Sequence, residues 1–465
     1  MTIFKMRVSR TQWAVGHGFF HSGVIESGGK PVTYVYDCGA TLANSNNLDR
    51  EIDEFIRQLC SCWKNYRCPL CYPLRYAQWY RQKYNWRCSR RYSSLVDIMY
   101  ISHFDYDHVS GIPKLAGKVQ IDRFVIPLVS VSCRLFCLAS SLFPSVYHPG
   151  TSSSRSNDVS VEDFDEWYWD FIADPVAALR EITNNSADIQ QIGPMTEERT
   201  PYPGEVEEDV FLTNFDIRNW MNASDLNISR SFAQRNVWNI VGPSGTPVWE
   251  FKTHVLKGTQ KQCYAFFQEL KRLTPIVKYE RDLENASIVK KLVLNYTSEL
   301  KKAYNNIVKN IGSSHTLNIT SLMLYSGTVL DQKIRCFRSK ATFYDRPEIG
   351  AWPTVAGWIG YGDASLGTKK RLNDAISAFE AYRLRTYIMA PPHHGSPREW
   401  SPDLLEGYGP YGDDAPTCVF GADGSYGHPG QKVLLDVNAS GGVAIIATSD
   451  PRSRWTDSLT VYVDA

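Results

Sequence analysis

The segment Ser102-His103-Phe104-Asp105-Tyr106-Asp107-His108 constrains this chain more than any other. Four side chains able to bind a metal fall within six residues, directly after the apolar run Val96-Asp97-Ile98-Met99-Tyr100-Ile101. β-prone residues ending in two histidines and two aspartates read as a strand that delivers ligands at its C-terminal mouth. A helix would scatter positions 103, 105, 107 and 108 around its circumference, whereas a strand end followed by a turn lets them converge. His103 and Asp105 alternate with Phe104 and point the same way, while Asp107 and His108 follow on the turn and can serve a second ion. Gly111 permits a tight exit into a helix at Ile112-Pro113. The competing reading is a pair of surface ion pairs on a loop. The pattern predicts a metal-dependent hydrolase whose remaining ligands lie elsewhere in the chain.

Two further strand ends carry suitable residues. Gly360-Tyr361-Gly362-Asp363-Ala364 ends in one carboxylate flanked by small residues, which leaves it room to bridge two ions. Tyr387-Ile388-Met389-Ala390-Pro391-Pro392-His393-His394-Gly395-Ser396 ends in paired histidines before a glycine. Alone, the first is a common turn and the second reads equally well as a solvent-facing loop.

Composition narrows the class. The chain has 465 residues, 43% hydrophobic and 21% charged, which is ordinary for a globular protein. A formal net charge of +1 gives no global case for a polyanionic partner, so nucleic-acid binding requires local basic patches. The N-terminus, Met1 to Arg7, lacks the apolar core of a signal peptide. Phe124 to Phe143 is the most apolar stretch, but Pro127, Arg134 and four serines make it a core strand followed by a helix rather than a membrane span. Eleven cysteines without a secretion signal suggest a reducing compartment, the cytoplasm, where thiols bind metal or simply pack.

β-rich runs recur at Val32–Tyr36, Val96–Ile101, Arg123–Ile126, Ile319–Tyr325, Val355–Ile359, Thr386–Met389, Cys418–Phe420, Val443–Ala447 and Leu459–Val463. Helical periods appear over Leu48–Leu59, capped by Asn47, and from about Glu280 to Ile311, where Gly312 stops them. Strands near both ends with helices between predict an α/β fold in one domain, 1–465. Three segments read as insertions: a Cys-, Tyr- and Arg-rich stretch 60–92, an irregular stretch 144–250, and a helical pair 258–315.

The first insertion carries Cys60, Cys62, Cys68, Cys71 and Cys88, spacings that can build a structural zinc knot, with reduced, unligated thiols as the alternative. It also interleaves Arg81, Lys83, Arg87, Arg90 and Arg91 with Tyr80, Tyr84, Trp86 and Tyr92, a mixture suited to phosphate contact and base stacking, or to an ordinary solvated face.

Taken together, the three strand ends resemble the metallo-β-lactamase superfamily, and within it the soluble hydrolase domain of the competence protein ComEC family. The His-x-Asp-x-Asp-His motif is matched by residues 103–108, Gly-Asp-Ala by Gly362-Asp363-Ala364, and Pro-His-His-Gly-Ser by Pro392 to Ser396. Softer matches are Val15-Gly16-His17-Gly18, with His17 in the place of a glutamine, and Tyr36-Asp37-Cys38-Gly39. Others are Asn318 to Leu322, Tyr426-Gly427-His428-Pro429 and Thr448-Ser449-Asp450. The superfamily's third ligand motif has no clear counterpart, since His148 and His254 lie in the right interval in unlike surroundings.

The resemblance implies an αββα sandwich with large insertions and two divalent ions, Zn²⁺ or Mn²⁺. His103 and Asp105 would hold one ion, and Asp107, His108 and His394 the other, with Asp363 bridging. The carboxylate at Asp105 and the missing motif lean toward Mn²⁺. Asp37 would buttress the ligand loop. Asp107, His393 and His428 would be catalytic, the histidines as acids or phosphate contacts. The implied activity is phosphodiester hydrolysis, with DNA as substrate, a regulatory protein partner acting through the insertions, and no membrane. A small-molecule phosphodiesterase and a non-catalytic binding subunit on the same scaffold are the alternatives.

Overall fold

The computed structural model describes residues 3–27, 31–64, 95–143, 164–193, 227–230, 237–241, 247–256, 260–311, 321–329, 334–341, 355–409, 412 and 415–464. The first half contains β1 (Ile3–Gln12), β2 (Phe20–Glu26), β3 (Val32–Cys38), α1 (Ser45–Lys64), β4 (Leu95–Val96) and β5 (Ile98–Tyr100). There follow α2 (Tyr106–Val109), α3 (Ile112–Ala116), β6 (Gln120–Ile121), β7 (Arg123–Pro127) and α4 (Val131–Leu142). Next come α5 (Glu166–Ala173), α6 (Pro175–Ile182), β8 (Asp188–Ile192), β9 (Asn227–Arg230), β10 (Val237–Val241) and β11 (Pro247–Val255). The second half adds α7 (Gln260–Leu273), α8 (Ala286–Asn295), α9 (Thr297–Ile311), β12 (Leu322–Thr328), β13 (Ile334–Ala341) and β14 (Gly357–Gly360). It closes with α10 (Lys369–Arg383), β15 (Thr386–Ala390), β16 (Thr417–Gly421), α11 (Gln431–Ala439), β17 (Val443–Ala447) and β18 (Trp455–Asp464).

These strands form two mixed eight-stranded sheets, ordered β13-β18-β1-β2-β3-β5-β7-β8 and β17-β16-β15-β14-β12-β11-β10-β9, and a small β4-β6 pair. In each sheet one half is antiparallel and the other parallel, the parallel strands being β3, β5, β7 and β8 in the first and β14 to β17 in the second. Parallel neighbours need crossover connections, which is where most of the helices lie.

One core lies between the sheets. Tyr34, Tyr100 and Val125 of the first share it with Trp249, Phe251, Leu324 and Trp358 of the second, and the Phe251 ring lies 5.1 Å from that of Tyr34. The other face of the first sheet carries Val35, Met99 and Phe124 and is covered by α1 and α3 to α9. The other face of the second, with Met323, Ile359 and Met389, packs against Leu372, Ala375 and Phe379 of α10 and Val433 and Val437 of α11. The fold is therefore α/β, with helices outside two stacked sheets.

Within the inter-sheet region a charged pair is fully buried. Arg10 and Asp457 face each other across the β1–β18 ladder. The guanidinium donates to the Asp457 carboxylate at 2.6 Å and to the Ala356 carbonyl at 2.8 Å. Beside it, His21 stacks on Trp358 with ring centroids 4.2 Å apart. Burial, and then the Arg10 charge, hold its imidazole well below the ordinary range, so it is neutral.

Several expectations need correction. Residues 144–250 are not irregular where they are described, because they supply α5, α6 and β8 to β10. In α5, Tyr168, Trp169, Phe171, Ile172 and Ala173 are all buried, so no one-sided period marks the helix. The Val96–Ile101 run is divided at Asp97, whose carboxylate accepts from the Thr33 amide at 2.8 Å. The run from Glu280 to Ile311 is a 3₁₀ turn followed by two helices. Asn285 interrupts it and caps α8 by accepting from the Ser287 amide at 2.9 Å.

Cysteine usage also departs from expectation. Cys133 of α4 and Cys263 of α7 form a disulfide, a bond that persists in oxidising surroundings, where reduced thiols had been expected. No described helix is long and apolar enough to cross a membrane. Cys60 and Cys62 fall in the last turns of α1, but their side chains, together with Cys68, Cys71, Cys88 and the Arg/aromatic set at 80–92, lie outside the described residues.

Candidate metal centre

The chemistry-bearing side chains come from the C-terminal ends of parallel strands in both sheets, the place where open α/β sheets present their ligand crevices. Asp37 stands at the end of β3, residues 102–108 follow β5, Asp363 follows β14, His393 and His394 follow β15, and His428 follows β16. Backbone bonds tie these ends together, one across the two sheets and one within the second. The Leu322 amide donates to the Ser102 carbonyl at 2.6 Å, and the His393 amide to the Gly362 carbonyl at 2.9 Å.

Among the described residues, six non-glycines have left-handed φ, and four of them are here: Asp37, His393, His394 and Tyr426. Such conformations cost energy and persist only where the surroundings enforce them, typically at functional positions. Gly362, at φ +54°, is required for the same convergence. A Cβ there would lie 2.8 Å from Ser102 Cβ and 2.9 Å from Tyr36 Oη.

Asp37 organises the ligand loop as expected of a buttress. It accepts from the Ser102 amide and the Ser102 hydroxyl, each at 2.6 Å, and from His108 Nδ1 at 2.8 Å. With its proton committed to Asp37, the Ser102 hydroxyl oxygen accepts from His103 Nδ1 at 2.8 Å. His394 Nδ1 donates to the Gly421 carbonyl at 2.8 Å. All three imidazoles thus spend Nδ1–H on oxygen acceptors and present Nε2 to the centre, the tautomer and orientation of metal-ligating histidines.

At the centre sits Asp363. Its Oδ1 is 3.2 Å from His108 Nε2 and 3.7 Å from His394 Nε2, while Oδ2 is 3.6 Å from His103 Nε2 and 3.7 Å from His393 Nε2. Asp107 Oδ2 lies 3.4 Å from His394 Nε2 and 4.0 Å from His108 Nε2. An ion with ligand bonds of about 2.0–2.1 Å separates its tetrahedral donors by about 3.3 Å, close to these spacings. Two groups can hold a metal ion, His103–His108–Asp363 and His17–Asp107–His394, each with its ligand atoms within 4.8 Å of one another. His103, Asp107, His108, Asp363 and His394 thus lie close together, but His108 groups with His103 and Asp363 rather than with Asp107 and His394, where the resemblance had put it.

The remaining residues are placed differently. Asp105 Oδ2 is 3.7 Å from His103 Nε2, but Asp105 stays outside both compact groups. His393 borders the centre on its more open side, and His428, nearly buried before the cis bond to Pro429, has its ring 5.6 Å from that of His393. His254 Nε2 is 3.4 Å from Asp374 of α10 and supplies no ligand to either group. His148 lies outside the described residues. The residue of these groups that sequence reasoning did not name as a candidate ligand is His17, whose sequence signals are its position between Gly16 and Gly18 and the resemblance of that turn to the family's opening motif.

Electrostatics match a cation site. Burial would raise the Asp363 carboxyl, but His108 and then His393, His394 and His103 pull it well below the usual range. Burial likewise opposes charge on His108, yet Asp363, Asp107 and Asp37 raise it well above its ordinary value, and His394 is raised chiefly by Asp363. Without an ion, protons on these imidazoles balance the carboxylates. A metal must displace them, so its affinity rises with pH.

Because Asp37 fixes both His108 and Ser102, Asp37→Asn should weaken binding of the first divalent ion roughly 10–100-fold with little change in secondary structure. Isothermal titration against Zn²⁺ measures this, and an unaltered affinity would remove Asp37 from the site. No protein-family model and no curated protein sequence matches the chain.

Proposed function

We propose that this chain is a binuclear metal-dependent phosphodiester hydrolase of the metallo-β-lactamase type, similar to the soluble ComEC-like hydrolases, with DNA as its substrate. The observation that carries the reading is the division of the Asp363 carboxylate. One oxygen faces His108 and His394 and the other faces His103 and His393, as a carboxylate bridging two ions would. Helices outside two stacked sheets, and ligands at the C-terminal ends of their parallel strands, agree with that sandwich.

Two bound divalent ions would supply Lewis acidity and an activated water at neutral pH. The protein's own residues would do the rest. Asp37 and Ser102 hold the imidazole planes, and Asp107 sets negative charge opposite Asp363. His393, at the more open edge, and His428 beside it are placed to contact a phosphate oxygen or to protonate the leaving oxygen.

The test is incubation of the purified chain with Mn²⁺ or Zn²⁺ and plasmid, linear and single-stranded DNA. Cleavage that is lost in Asp107→Ala is the expected result. Ions bound but every DNA left intact would favour a small-molecule phosphodiesterase. A chain that binds no ion would favour a binding subunit on a hydrolase scaffold.

A further inference from the structure

His17 reaches the centre from the other side of the fold's logic: it lies not at a parallel strand end but in the turn between β1 and β2. The turn is built to hold it. Gly16 and Gly18 both have left-handed φ, +85° and +144°. A Cβ on Gly18 would lie 2.5 Å from Ala40 Cα and 2.8 Å from the Asp107 carbonyl, so only glycine lets the turn press against the ligand loop. The Phe19 amide donates to the Asp107 carbonyl at 3.1 Å, and the Thr41 amide donates to the His17 carbonyl at 2.9 Å. The backbone on both sides of His17 is therefore fastened to the segments that carry Asp37 and Asp107.

The side chain is more than nine-tenths buried, and its Nδ1 has no hydrogen-bond partner. Its Nε2 is 3.9 Å from Asp107 Oδ2, and its ring lies 4.5 Å from that of His394. Tyr426, with its ring 4.8 Å away, closes the outer side. A buried imidazole held with its Nε2 toward a carboxylate and beside a second imidazole is an expensive arrangement unless something binds between them.

We propose that His17 is a metal ligand, completing with Asp107 and His394 one of the two ion positions, beside the other at His103, His108 and Asp363. The inference rests on the binuclear reading above and deepens it by adding a ligand from the turn between β1 and β2. Imidazole donors suit Zn²⁺.

The experiment is calorimetric titration of the metal-stripped chain with Zn²⁺, for wild type, His17→Ala and His17→Gln, with thermal melts to confirm folding. Wild type should take up two Zn²⁺ in two resolved steps. Both variants should lose one of the two steps, weakened on the order of 100-fold or more, as expected when a direct ligand rather than an outer partner is removed. Crystals of wild type grown with Zn²⁺ give a check free of any variant, an anomalous peak about 2.0–2.1 Å from His17 Nε2. Two Zn²⁺ steps of unaltered affinity in the variants, or an anomalous peak remote from His17, would overturn the assignment and leave the binuclear reading standing. Wild type that takes up no ion would instead overturn the binuclear reading itself.

Discussion

Asp363→Asn should lower the number of ions retained by the chain from two to one or none, and reduce phosphodiester turnover by roughly two to four powers of ten. The magnitude corresponds to loss of several kcal/mol of electrostatic stabilisation at about 1.36 kcal/mol per tenfold. The substitution keeps the shape and removes the charge. In the native chain both carboxylate oxygens are engaged, each within 3.2–3.7 Å of two imidazole nitrogens, so no other group can take over the bridging position. Metal analysis after dialysis gives the stoichiometry, and hydrolysis of a chromogenic phosphodiester gives the rate. Two ions held at wild-type affinity would show that Asp363 is a hydrogen-bonding residue and that the centre is organised around Asp107.

The second large effect lies away from the centre. Arg10→Ala should cost about 3–5 kcal/mol of folding stability, because it takes the guanidinium from beside a carboxylate that has no access to solvent. Urea denaturation reads this directly. The double replacement Arg10→Met with Asp457→Leu should recover most of the loss and can exceed wild type by about 1–4 kcal/mol, since two desolvated charges are exchanged for apolar contacts. A single-variant loss below about 1 kcal/mol would mean that water reaches the pair and that it behaves like a surface salt bridge.

The candidate metal centre was largely legible because each of its strand ends writes metal-capable residues close together. His103 to His108, Asp363, and His393-His394 each follow an apolar run, and period and punctuation locate them without knowledge of the fold. His17 was not legible as a ligand. It is one histidine between two glycines, and its meaning comes from Gly18 packing on Ala40 and the Asp107 carbonyl, contacts between residues far apart in the chain.

The same division holds for the elements. β3, β7 and β15 announce themselves as apolar runs buried in parallel pairing, and β17 as an apolar run although part of it is exposed, whereas β1 carries Lys5, Arg7 and Arg10 and is hidden by its own charges. β8, Asp-Ile-Gln-Gln-Ile, is the last strand of its sheet among the described residues, and its polarity conceals its identity. α5 was missed for the opposite reason, being apolar nearly all round. Helix α10, with mostly charged residues outside and Leu372, Ala375 and Phe379 inside, was obscured by its high charge density.

The position of the centre at the joint between the two sheets has one more consequence. Its ligands come from residues 103–108 on one sheet and 363–394 on the other, separated by more than 250 residues of chain. Closing so long a loop is entropically costly, and the inter-sheet core, not the ion, must meet that cost first. Ions bound there would bind only the assembled state and act as a clasp across the seam. Any fluctuation that parts the sheets would release them, so metal retention would be a running measure of whether the two halves are closed.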